Sequence, residues 1–261
     1  MIRGGLRRFD LYDFFSVFLP GATFIIGLFP FLPVDTEFGV SLVGATVVLG
    51  FVVGRAVHGI AISFDNYWEN KGHREEFLEQ LAEPDVLPAN VIDRFFDVCC
   101  EVYTDLDLCE DRTTSVESDD DELEPLYTLV RSYIHMDSRG RSRTFQAVYA
   151  FYRSMWLVSL LLAFVYYVYS FARLLGVTTG AVDYYTYASS LGIPTAAIMG
   201  LSVSVGLFAY RVFRDAKTRH QRYYVQYLIS DFITLYEASS RLDSGDPTAP
   251  ARPPRQRDDR N

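Results

Sequence analysis

Four long stretches of this chain carry no charge at all: residues 14–34, 38–54, 154–172 and 184–210, which are 21, 17, 19 and 27 residues long. No other feature narrows the fold as much. A helix crossing the hydrocarbon layer, ~30 Å thick, needs about 20 mostly apolar residues. A soluble helix of that length shows a polar stripe along one face, and none of the four runs shows one. They predict transmembrane helices at 14–33, 39–62, 151–174 and 187–211, and hence an all-α fold. The first run has the basic front of a signal peptide in Arg3, Arg7 and Arg8. Pro20 interrupts it, however, and no small-x-small cleavage site follows, so it is expected to stay as a span.

Basic residues near the span ends set orientation, whereas acids count for little. Arg3, Arg7 and Arg8 precede span one. Lys71 and Arg74 follow span two, Arg139, Arg141 and Arg143 precede span three, and Arg214, Lys217, Arg219 and Arg222 follow span four. The 34–37 loop has no basic residue, and the loop after span three has only Arg173. One topology fits every segment: a multi-pass protein of the cell membrane with both termini cytoplasmic and two short outer loops. Tyr67, Trp68, Tyr149, Tyr152, Trp156, Tyr184, Tyr185, Tyr187 and Tyr210 fall where interfacial aromatic belts belong.

Between spans two and three lies the one segment large enough to be a soluble module, 65–147. It holds 21 acids against 8 basic residues, a net of −13, so the remaining residues net +4 within the total of −9. That charge argues against nucleic acid as a partner. Helices are expected at 65–82 (continuing span two), at 89–103 and at 124–136, where apolar residues recur at helical spacing. Residues 104–122 read as a flexible acidic linker. Asp105, Asp107 and Asp111 lack the glycine and terminal glutamate of a calcium loop, so no metal and no cofactor is expected. Cys99, Cys100 and Cys109 form no metal-ligand pattern and are expected to be free thiols in a reducing compartment. After span four, 212–241 reads as an amphipathic helix with a stripe of Tyr224, Leu228, Phe232 and Leu235. The tail, 242–261, reads as disordered.

The segment LYDFFSVFLPG near the N-terminus and FYRSM at 151–155 resemble small four-span prokaryotic membrane proteins of haloarchaeal type. The bias towards 22 arginines over 2 lysines, with 33 acids, resembles the same proteomes. The resemblance implies the four-span fold and no residue roles.

Two sets of residues stand out within the spans. Gly50 and Gly54 in span two, and Gly192, Ala196, Gly200 and Ser204 in span four, are small residues four apart. In lipid such rows let helix backbones approach closely, within the chain or in a homo-oligomer. The second set is polar. Arg55 lies 17 residues beyond Phe38, about 25 Å into span two, which is near the inner edge of the lipid core. His58 lies one turn further, and Asp13, Arg153 and Arg211 mark the same level on spans one, three and four. Two arrangements satisfy this plane: a belt of arginines meeting lipid phosphates, or a buried cluster of Asp13, Arg55 and Arg153.

No H-E-x-x-H, P-loop or G-x-S-x-G occurs, and the four histidines are isolated from one another. The leading expectation is a non-enzymatic membrane protein whose cytoplasmic helices bind a protein partner or receive a signal. The alternatives are an oligomeric pore or transport component, with Ser189, Ser190, Ser202 and Ser204 lining a path, and a lipid-acting membrane enzyme using Asp13, His58 and the arginines.

Overall fold

The computed structural model describes residues 11–32, 39–68, 72–103, 124–136, 141–176 and 192–243. The 34–37 loop, the 104–122 linker with its aspartates, Tyr184, Tyr185 and Tyr187, and the tail beyond 243 lie outside the described residues. Every regular element described is helical. Four helices are long and apolar enough to cross a membrane, over Phe14–Phe31, Val40–Asp65, Ser142–Leu174 and the helix from Thr195. Val43, Val47, Val52, Phe164, Val168, Phe171, Leu201 and Leu207 on these helices are exposed. A water-soluble monomer rarely exposes so much contiguous apolar surface, whereas a lipid-facing surface requires it. The chain is a multi-pass membrane protein.

Span one runs through α1 (Leu11–Asp13), a wider π-helical turn (Phe14–Phe18) and α2 (Leu19–Gly27). Pro20 follows the π-helical turn within this continuous helix, where its missing N–H leaves a carbonyl of the preceding turn without its usual donor. Span two is α3 (Val40–Trp68). The sequence predicts helix through 65–82; instead α3 ends at Trp68, Gly72 is non-helical, and α4 (His73–Ala82) starts anew. The Gly72 carbonyl has two donors. It accepts the Glu76 N–H at 3.2 Å, opening α4, and the Gln221 amide at 3.0 Å. Then come α5 (Ala89–Val102) and α6 (Glu124–Met136). Span three is α7 (Ser142–Leu174), closed by Gly176 at φ +68, a left-handed conformation that glycine adopts without strain. Span four is α8 (Thr195–Phe208), begun after Pro194 and continued by a second π-helical turn (Ala209–Phe213) into α9 (Arg214–Asp243).

The described residues divide into two compact units. The first takes those up to Glu76 and from Arg141 to Val225. In it span one packs on spans two and three, and spans three and four pack together. Val57, Ala61, Leu157 and Val158 form its core, with Phe24, Val53, Leu161 and Leu162 against them. The second unit takes the residues from Phe77 to Met136 and from Gln226. Its centre is aromatic: Phe95 lies 5.9 Å from Phe77 and 5.6 Å from Phe232, centroid to centroid, and Tyr133 lies 5.2 Å from Phe232. Arg94 holds Glu237 at 3.1 Å, and the Tyr236 hydroxyl donates to Glu101 at 2.6 Å. Cys99 is a free thiol buried in this unit, and burial pushes it up from its ordinary value. Cys100 is disulfide-bonded, which corrects the expectation of three free thiols.

Candidate functional site

The π-helical turn of span one sets the geometry of the charged end. It carries Val17 against span two, and a Cβ on Gly54 would collide with the Val17 carbonyl. A Cβ on Gly21 would likewise run into Gly50 and Gly54. The two backbones meet only because no side chains intervene. This approach places Asp13, just before the turn, beside Arg55, one residue after Gly54. The Arg55 guanidinium donates to the Asp13 carboxylate at 2.8 Å. The pair is not enclosed by the protein, with Arg55 63% and Asp13 27% exposed. The Tyr12 ring meets His58 edge-on at 6.1 Å, and its hydroxyl lies 3.5 Å from Nε2. His58 is within electrostatic reach of Arg153, Arg55 and Asp13.

Four of the five polar residues therefore share one locality. Arg211 stands apart from them, exposed on the π-helical turn that ends span four, among Tyr210, Arg214, Asp215, Thr218, Arg219 and Arg222. The small residues divide in the same way. Gly50 and Gly54 are buried against span one. On span four, Ala196 and Ser204 are exposed, Cβ atoms at Gly192 and Gly200 would meet nothing within 4 Å, and Gly192 instead holds φ +61 in the turn before the helix.

A second, drier polar cluster lies further along span two. Asp65 is buried, and Lys217 of α9 is 1% exposed. The Lys217 ammonium donates to Asp65 Oδ1 at 2.5 Å, and the Tyr149 hydroxyl donates to Oδ2 at 2.7 Å. Both carboxylate oxygens thus hold a donor. The ammonium also lies 5.7 Å from the centroid of the Trp156 ring, a cation–π position. Around this pair, Arg153 sits over the Tyr149 ring at 5.4 Å, and the His73 ring meets Tyr149 at 4.3 Å and Tyr224 at 4.6 Å. Three helices, α3, α7 and α9, are tied by one carboxylate. Among the described residues, three buried polar atoms beside the tie find no hydrogen-bond partner: Arg153 Nε, Ser154 Oγ and Trp156 Nε1.

Asp65, Lys217, Tyr149 and Trp156 are absent from the polar plane predicted from sequence, yet the signal was present. Gly50, Gly54, Val57, Ala61 and Asp65 recur every three or four residues and are all buried. Extending the glycine stripe down the helix reaches Asp65. Extending the Tyr224 stripe backwards reaches Gln221 and then Lys217, also buried.

Chemically the cluster is a clamp. The carboxylate's acceptors are occupied by a lysine and a tyrosine, so it is poorly placed to take a proton from a substrate. Among the described residues, no group of three His, Cys, Asp or Glu side chains could hold a metal ion. A buried pair of this kind contributes little net stability compared with apolar residues. It makes the arrangement specific, because leaving either charge alone is costly. No family model, curated protein or solved structure matches the chain.

Proposed function

We propose that this membrane protein is non-enzymatic, and that its helices outside the bilayer bind a partner or receive a signal on the cytoplasmic side. The observation that carries this reading is the Asp65–Lys217–Tyr149 clamp. It joins span two, span three and the helical extension of span four. Its polar atoms are used on one another, which suits a joint with one preferred register better than a catalytic centre. The cytoplasmic placement rests on the excess of arginine and lysine next to the spans.

The test is photo-crosslinking of the full chain in its native membrane, with a photoreactive residue at the exposed positions Glu79 and Asp93. The expected result is a discrete adduct whose mass differs from that of a dimer of this chain. Absence of any adduct from both positions contradicts the reading, and accessibility of both positions only from the outer face contradicts the orientation.

A second reading, an oligomeric pore or transport component, is favoured by the open small-residue face of span four. Ala196, Gly200 and Ser204 leave that face without an intramolecular neighbour at Gly200. The full chain in planar bilayers would then pass an ionic current that Gly200→Leu alters. A current that this substitution leaves unchanged removes span four from the path.

A further inference from the structure

The first twelve residues beyond span four's apolar run contain four arginines: Arg211, Arg214, Arg219 and Arg222. With Tyr210, Asp215 and Thr218 they line an open cleft of about 690 Å³. The cleft's formal charge is +3, from four arginines and one aspartate. Arg222 also reaches Glu76 at 3.8 Å. Arg214 is held in place: its Nη1 donates to the Tyr210 hydroxyl at 2.7 Å, and its guanidinium lies 5.2 Å from that ring's centroid. Among the described residues, Arg211 and Arg219 form no ion pair with an acid.

The surface leading into the cleft has the opposite character. Val203, Leu207, Phe208 and Val212 are exposed on the turns immediately before or within it, and a Cβ at Gly200 one turn earlier would meet open space. A basic cleft is thus continuous with an uncovered apolar helix face at the membrane boundary. A free anion would use only the cleft. A phospholipid would use both parts, with its phosphate among the guanidinium groups and an acyl chain along Gly200, Val203 and Leu207. Guanidinium groups match phosphate oxygens bidentately, and basic residues directly beyond a span draw anionic lipids.

We propose that this cleft is a binding site for the headgroup of an anionic phospholipid, seated at the end of span four. The site does not depend on the partner-binding reading, since its ligand is the bilayer itself. Arg211 thereby gains a role separate from the Asp13–Arg55–His58 locality. Arg211 and Arg219 hold the phosphate, Arg214 is positioned by Tyr210, and Asp215 accepts from a hydroxyl of the headgroup.

The experiment is native mass spectrometry of the full chain in detergent, titrated with phosphatidylglycerol and, separately, with phosphatidylcholine of the same chains. The wild-type protein is expected to retain phosphatidylglycerol in preference to phosphatidylcholine. Arg219→Ala, an exposed change, is expected to weaken retention about tenfold, which corresponds to the loss of one charge-assisted contact. Tyr210→Phe should weaken it as well without altering charge, because Arg214 loses its tether. Arg141→Ala removes an exposed charge elsewhere in the same unit and should change nothing. Equal binding of the two lipids by the wild type overturns the proposal. So does an Arg141→Ala effect equal to that of Arg219→Ala, or a Tyr210→Phe protein that binds like the wild type, since either result describes a diffuse charged belt. Displacement of the lipid by millimolar inorganic phosphate alone marks a plain anion site and overturns the lipid assignment.

Discussion

Asp13 and Asp65 are both aspartates paired with a cation from another segment, and solvent separates their energetics. Arg55 is largely exposed, unlike Lys217, and pairs of exposed charges contribute about 0–1 kcal/mol where water reaches them, as it does at a span end in detergent. Asp13→Asn is therefore expected to lower stability by less than about 1 kcal/mol, read by thermal unfolding in detergent. Lys217 has no water to fall back on, and removing its carboxylate leaves a buried charge. Cys99 gives a third case. The thiol is raised by burial, so the folded chain holds its proton where the unfolded chain releases it. The stability linked to this proton is complete at neutral pH and declines as pH rises past the unfolded thiol value, about 8.5. Cys99 should resist a maleimide at pH 7 in the folded protein and react once the protein unfolds, because the thiolate is the attacking species. Fast labelling of Cys99 in the native protein would contradict its burial.

At the scale of elements, spacing in the sequence proved most informative where residues repeat over several turns. The spans, α5, α6 and most of α9 follow from charge-free runs and from apolar residues at helical intervals, because those patterns record which face avoids water. The π-helical turns at 14–18 and 209–213 have no such mark. At 14–18 the turn carries the Val17 carbonyl against Gly54, and that contact is a property of two segments together. The glycine rows show the same limit. The row in span two and the row in span four look equivalent in sequence, yet one is closed by span one and the other faces outwards. Gly54→Ala is expected to cost about 1–3 kcal/mol, since the new methyl meets backbone that cannot move aside. Gly200→Ala should stay within about 0.5 kcal/mol. Comparing the two variants by thermal unfolding in the same detergent checks both, and equal losses would mean that the span one–span two approach is not the tight contact described.

For the whole molecule, the polar residues near the ends of the spans fall into three parts: an exposed pair at Asp13 and Arg55, a buried clamp at Asp65 and Lys217, and a basic cleft around Arg211. Counting rise along one helix could not pair residues between helices. Lys217 lies 152 residues from Asp65 along the chain, and only the folded arrangement joins them. The central claim is that Asp65 and Lys217 form a buried clamp and are not two separately solvated charges. A double-mutant cycle on the full chain tests it most directly, with Asp65→Asn, Lys217→Met and the double variant unfolded reversibly in detergent. Each single change should cost about 3–5 kcal/mol, while the double variant recovers much of that loss, because no buried charge is left unpaired. Single changes costing less than about 1 kcal/mol, with purely additive losses in the double variant, would show that Asp65 and Lys217 are solvated independently and that the clamp does not exist.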